Sequence, residues 1–155
     1  MCGIAGRILN SPGRIGADLL ALMDAQMHRG SDSTGFALYG APLERGYLVR
    51  AMSPNRAALS SDLEEFRSIL KAHGSDFLED PTWDSADTQH ASVRMVVEEP
   101  KNLAAWVRDA DAFSDHLEVQ SVGKSLEIIK DLGSAAEVAE KHGVQDFIGT
   151  HGLGH

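Results

Sequence analysis

The sequence predicts an α+β fold on three observations. A strand-like alternation at the N-terminus is followed by an amphipathic helical stretch and then by a pair of strand-like segments. The composition, 43% apolar with only 6% aromatic, is that of an ordinary soluble core and sets aside disordered and collagen-like classes. No internal repeat or low-complexity linker divides the 155 residues, which fit one domain by length.

Taken in order, Cys2 to Leu9 sets Ile4, Gly6 and Ile8 on one side and Gly3, Ala5, Arg7 and Leu9 on the other. It reads as a largely buried strand that begins at the terminus itself. After the Ser11-Pro12-Gly13 break, Ile15, Leu19, Leu20, Leu22, Met23 and Met27 recur at helical spacing and predict a helix over 15–27. Gly30 closes it, Ser31 to Gly35 reads as a loop, and Phe36–Tyr39 and Tyr47–Met52 read as strands. Asn55 caps a second helical pattern through Leu59, Leu63, Phe66, Ile69 and Leu70 that stops at Gly74. An acidic, irregular loop follows, with Trp83 in it, and Ser92–Val97 resumes as a strand. Pro100 suits the first turn of a helix through Leu103, Trp106 and Val107. Leu117–Val122 and Leu126–Ile129 read as strands, and Ser134 with Glu137 fits a capping box for a short helix to His142.

Charge narrows the partners. Lys and Arg number 14 against 23 Asp and Glu, and the net charge of −9 repels phosphate backbones, so nucleic acid is not an expected partner. No apolar run approaches the roughly 18–20 residues of a membrane helix, and Met1-Cys2-Gly3-Ile4 carries no basic signal-peptide start. A cytoplasmic location without membrane contact is the expectation. A single cysteine leaves no internal disulfide.

That cysteine stands at position two. Removal of Met1 leaves a thiol and a free α-amine on one residue, with reference pKa values of about 8.5 and 7.7–8.0, so the nucleophile carries its own general base. A lone cysteine is more often a small, buried, inert apolar residue, and its neighbours shift that balance. Gly3 and Gly6 let another molecule approach the strand backbone closely. Farther on, His28-Arg29-Gly30-Ser31-Asp32-Ser33-Thr34-Gly35 joins a cation, an anion and two glycines at a helix-to-strand turn. For Arg29 and Asp32 alone, a surface ion pair is an equally good account.

Met1-Cys2-Gly3-Ile4-Ala5-Gly6 together with His28 to Gly35 resembles the class II glutamine amidotransferases, which are N-terminal-nucleophile hydrolases. Ser31 stands where the family usually has Pro. A third block, Gly149-Thr150-His151-Gly152-Leu153-Gly154-His155, is similar to the start of the family's Gly-His-Thr-Arg motif, with His155 at the histidine. The resemblance implies an αββα sandwich of antiparallel sheets, here incomplete at the C-terminus, and a type-2 amidotransferase domain over 1–155 with a long insertion at about 41–147. It implies that Cys2 attacks the side-chain amide of L-glutamine, releases ammonia and leaves a thioester that water hydrolyses. Gly3 lies beside the nucleophile, Arg29 and Gly30 form the turn that supports its strand, Asp32 braces that turn, and His155 lies near the glutamine site. No cofactor is implied in this chain. The insertion resembles that of stand-alone subunits of the glutamate-synthase and N-methylglutamate-synthase type, whose separate synthase partners carry flavin or iron–sulfur clusters and receive ammonia or a glutamyl group.

Two family elements are absent from the sequence: the arginine that follows the motif histidine, and any Asn-Gly pair for an oxyanion hole. The chain therefore reads as an N-terminal fragment. Loss of oxyanion donors alone costs about 10²–10³ in rate, so the isolated 155-mer is expected to turn glutamine over poorly and to associate through unpaired sheet edges. A catalytically incompetent regulatory or interaction module that keeps the fold is the alternative. Metal is not expected: His151 and His155 would need a helix to share a zinc ion, which Gly152-Leu153-Gly154 disfavours, and the remaining histidines are scattered.

Overall fold

The computed structural model describes residues 3–27, 32–83 and 89–155. Cys2, Arg29 and Gly30 lie outside them. In chain order the elements are β1 (Ala5–Gly13), α1 (Ile15–Asp24), β2 (Ser33–Tyr39), β3 (Tyr47–Ser53), α2 (Leu59–Ala72), β4 (Thr82–Trp83) and β5 (Ala91–Val97). There follow α3 (Leu103–Asp111), β6 (Glu118–Gly123), β7 (Leu126–Leu132), α4 (Ala135–His142) and β8 (Gly149–Gly154). The described residues form an α+β structure with two antiparallel four-stranded sheets and four α-helices. None of these helices is long and apolar enough to cross a membrane. The chain divides into two compact units, Met1–Pro42 with Ser125–His155, and Leu43–Lys124.

In the first unit the strand order is β1-β8-β2-β7. Phe36, Leu38 and Ile129 on one sheet face pack with Ile15, Leu19 and Met23 of α1 and with Val138 and Ala139 of α4. β8 is a strand that the sequence pattern does not announce. Its glycines instead serve packing: a Cβ at Gly152 would lie 2.7 Å from Leu19 Cδ1, and one at Gly154 would lie 2.8 Å from Met23 Sδ. Side-chain-free backbone at these points lets α1 rest directly on the strand.

β1 differs from expectation in extent and in burial. It starts at Ala5 and runs on through Pro12 to Gly13, and it is an edge strand with β8 on one side only. An edge tolerates a proline because the missing N–H faces no partner, and the ladder is irregular between Ile8 and Gly13. Only the Ala5 face is covered, so Ile4 and Ile8 are 69% and 81% exposed instead of buried. α1 ends at Asp24, three residues short of Met27. The expected loop at 31–35 is in part strand, with Ser33, Thr34 and Gly35 paired to Leu132, Asp131 and Lys130.

In the second unit the order is β4-β5-β3-β6. Val49, Ala51, Val93 and Met95 face Leu63, Phe66 and Leu70 of α2 and Trp106 of α3. Phe66 meets Trp106 edge-on, with ring centroids 6.2 Å apart. Asn55 caps as expected, accepting from the Ala57 N–H at 3.2 Å, but through a 3₁₀ turn at Arg56–Ala58 that leads into α2. α3 begins after Pro100, because Asn102 caps it by accepting from the Ala105 N–H at 3.0 Å. Trp83, read from the sequence as part of an irregular loop, instead lies on the short strand β4 and is 46% exposed.

Candidate functional site

In the first unit a cavity of about 190 Å³ opens where five stretches of chain meet. Its wall takes Gly3 from the N-terminal segment and Met23, Gln26 and Met27 from the end of α1. Asp32, Ser33 and Thr34 come from the start of β2, Ser134 and Ala135 from the start of α4, and His155 follows β8. Of the residues singled out in the sequence, Gly3, Asp32 and His155 therefore share one cavity.

The backbone fixes each of them. His155 continues the β8–β2 ladder: its N–H donates to the Gly35 carbonyl at 2.9 Å, and its carbonyl accepts from the Gly35 N–H at 2.8 Å. Asp32 is tied to the β7–α4 turn, since its carbonyl accepts from the Gly133 N–H at 3.2 Å, and the Thr34 hydroxyl donates to the Gly133 carbonyl at 2.9 Å. Gly133 has φ +115°, a conformation that suits glycine. Gly3 lies against the Gln26 side chain, whose Nε2 donates to the Ile4 and Leu22 carbonyls, each at 3.4 Å.

On the far wall, the capping box read from Ser134 and Glu137 is present in full. The Ser134 N–H and hydroxyl each donate to Glu137 Oε2 at 2.8 Å, and the Glu137 N–H donates to Ser134 Oγ at 3.4 Å. These bonds, the backbone one foremost, hold the Glu137 carboxyl below its ordinary range. The sequence flagged Ser134 only as a cap and gave no sign of Gln26, a polar residue just past an amphipathic helix.

α4 is held to β7 by a half-hidden ionic cluster. Lys141 Nζ lies 2.6 Å and His142 Nε2 2.9 Å from Asp131 Oδ2, while the Leu132 N–H donates to Oδ1 at 2.8 Å. Burial pushes the Asp131 carboxyl up, but the bonds from Lys141, His142 and Leu132 together outweigh it and leave the carboxyl below its usual range. A carboxylate with a depressed folded-state pKa adds stability above the unfolded value of about 3.9 and loses it as pH falls through the depressed one. Asp131→Asn is thus expected to cost about 1–3 kcal/mol at neutral pH by urea unfolding. The gap to wild type should narrow as pH falls below the unfolded value of about 3.9 and through the depressed folded one, and a gap that does not narrow over that acid range would contradict the ion-pair account.

His151 is separate from the cavity. Its ring stacks on Tyr39 with centroids 4.1 Å apart and an 18° interplanar angle, and its Nδ1 lies 2.9 Å from the Thr150 hydroxyl. It sits on strand β8, so the helical i, i+4 spacing a shared zinc ion needs does not arise. Among the described residues no three His, Cys, Asp or Glu side chains cluster as metal ligands. Asp32 is the only carboxylate on the described cavity wall, which carries no Lys or Arg.

The cavity is therefore a small, mixed polar and apolar site to which all three motif-bearing stretches of the chain contribute. No family model matches the chain. Across its whole length it is 32% identical to a protein of Methanothermobacter thermautotrophicus named "Putative glutamine amidotransferase", covering 51% of that protein. It is likewise 28% identical to the glutamine amidotransferase-like protein GlxB of Rhizobium meliloti, covering 49% of it. The chain is thus similar from end to end to two proteins named for glutamine amidotransfer, and it spans about half the length of each.

Proposed function

We propose that the chain is part of a class II glutamine amidotransferase, with Cys2 as nucleophile and an N-terminal-nucleophile αββα sandwich as its fold. One observation carries this reading: Gly3, Asp32 and His155, from three motif blocks far apart in sequence, line the same cavity. Similarity along the whole chain to two proteins named for this activity supports it. So does the cavity volume of about 190 Å³, which suits an amino-acid-sized guest and lies below the roughly 300–1,000 Å³ of drug-sized pockets.

The chemistry runs from the terminus. Once Met1 is removed, the Cys2 α-amine takes the thiol proton and the thiolate attacks the side-chain carbonyl carbon of glutamine. The C–N bond breaks, the nitrogen leaves as ammonia with the proton returned to it, and a γ-glutamyl thioester remains. Water then cleaves the thioester to glutamate and regenerates the thiol. Gly3, Arg29, Gly30, Asp32 and His155 are the supporting and substrate-binding residues. Ammonia or the glutamyl group passes to a separate synthase subunit of the glutamate-synthase kind, which carries the flavin or iron–sulfur chemistry; this chain needs no cofactor of its own.

A diazoketone analogue of glutamine tests the reading. The expected result on the full-length protein is one covalent adduct at Cys2, with Met1 absent from the intact mass. An unlabelled Cys2 with Met1 retained would instead favour a regulatory module that keeps the fold without the chemistry.

A further inference from the structure

We propose that Gln26 is a positioning residue that sets the backbone of Gly3 and Ile4, and through it the attachment point of the nucleophile. The inference rests on the reading of Cys2 as nucleophile, although the contacts that carry it do not. The ladder between β1 and β8 begins at Ala5, paired with Gly154. Gly3 and Ile4 precede that first ladder pair, and Gly3 is one peptide bond from Cys2.

Gln26 supplies contacts to this segment on two sides. Its Nε2 carries two hydrogens and lies 3.4 Å from two carbonyls, that of Ile4 in the N-terminal segment and that of Leu22 in the last turn of α1. Carbonyls of a last turn need such partners, because the helix offers them none. The rest of the side chain forms a floor under Gly3, where an added Cβ would fall 2.8 Å from Gln26 Oε1 and 3.3 Å from its Cβ. A side chain at position three would press on the Gln26 amide and push its far end aside.

Gln26 is itself well anchored. Its N–H donates to the Met23 carbonyl at 2.9 Å, at the end of a helix whose Ile15, Leu19 and Met23 are buried. Gln26 and Gly3 then line one cavity with Asp32 and His155. The turn that ends α1 thus contacts both residues after Cys2, of which Gly3 lines the cavity, and a shift of about 1 Å at a reacting group is enough to cost roughly 10²-fold in rate.

Two variants separate the hydrogen bond from bulk. Gln26→Ala removes amide and floor together, whereas Gln26→Met keeps length and apolar contact but cannot donate to Ile4. In the full-length protein both are expected to slow modification of Cys2 by the diazoketone analogue about 10–100-fold, and both should speed deuterium uptake by the N-terminal peptide. Iodoacetamide labelling of Cys2 in denaturant should not change. Gly3→Ala attacks the same contact from the other side and should slow the labelling too. Wild-type labelling and uptake in Gln26→Met would overturn the proposal. If the wild-type protein itself fails to react with the diazoketone, the glutamine reading is lost, and deuterium uptake alone then decides whether Gln26 holds the segment.

Discussion

Replacing Cys2 with alanine in the full-length protein is expected to lower the rate of glutamine hydrolysis about 10⁴-fold or more, the scale on which loss of a covalent nucleophile is felt. The thermal midpoint should stay within a few degrees of wild type, since the substitution removes one sulfur atom at the chain terminus. A second variant isolates the amine. Inserting one alanine ahead of Cys2 leaves the thiol intact and moves the α-amine a residue away, so if that amine is the base, the insertion should be nearly as damaging as the substitution. Both are read by ammonia release and by intact mass, which reports whether Met1 has been removed. An inserted variant with wild-type turnover would show that some other group takes the thiol proton.

Gly16→Ala is expected to destabilise the first unit, against what helix propensity alone predicts. Gly16 lies in the first turn of α1, where alanine ordinarily gains up to about 1 kcal/mol over glycine. Here the space is occupied: a methyl group would run into the backbone carbonyl of Val144 and come within 3.2 Å of Phe147 Cβ. The Gly16 N–H also donates to the Phe147 carbonyl at 3.3 Å, so the helix cannot back away without losing that bond. Overpacking against backbone costs about 1–3 kcal/mol or more. At the upper end of that range the net loss is about 2 kcal/mol, or roughly 4–8 °C in Tm for a chain of this size. Calorimetry of the Gly16→Ala and Gly16→Ser pair checks it: serine should cost at least as much, and a rise in Tm for alanine would show that the helix shifts freely.

What the sequence made legible was local. The α2 stripe of Leu59, Leu63, Phe66 and Leu70, the Asn55 cap and the Ser134–Glu137 box each depend on residues within a turn or two, and each is present. β8 was not legible, because three of its six residues are glycine and its strand character comes from pairing with β1 and β2, far earlier in the chain. β1 shows its alternation in sequence but not its position at the sheet edge, which is why Ile4 and Ile8 look like core residues and are not. The candidate site divides the same way. Gly3, Asp32 and His155 stand in short motifs that can be read directly, whereas Gln26 gains its meaning only from a neighbour twenty-two positions earlier in the chain.

The seating of β8 between β1 and β2 also sets an order of events during synthesis. β1 and β2 leave the ribosome within the first 39 residues, yet in the finished sheet each is bonded to a strand that starts at Gly149. Closing such distant pairs is slow, because the loop entropy falls due before any contact returns it. Leu43–Lys124, by contrast, is one continuous stretch with its own sheet and core, and it can close while the rest is still being made. β2 can pair first with β7, but β1, whose ladder partner among the described residues is β8, must wait unpaired until that strand has been added. Pulse-labelled hydrogen exchange during refolding should accordingly find amides of β3 and β5 protected before those of β1.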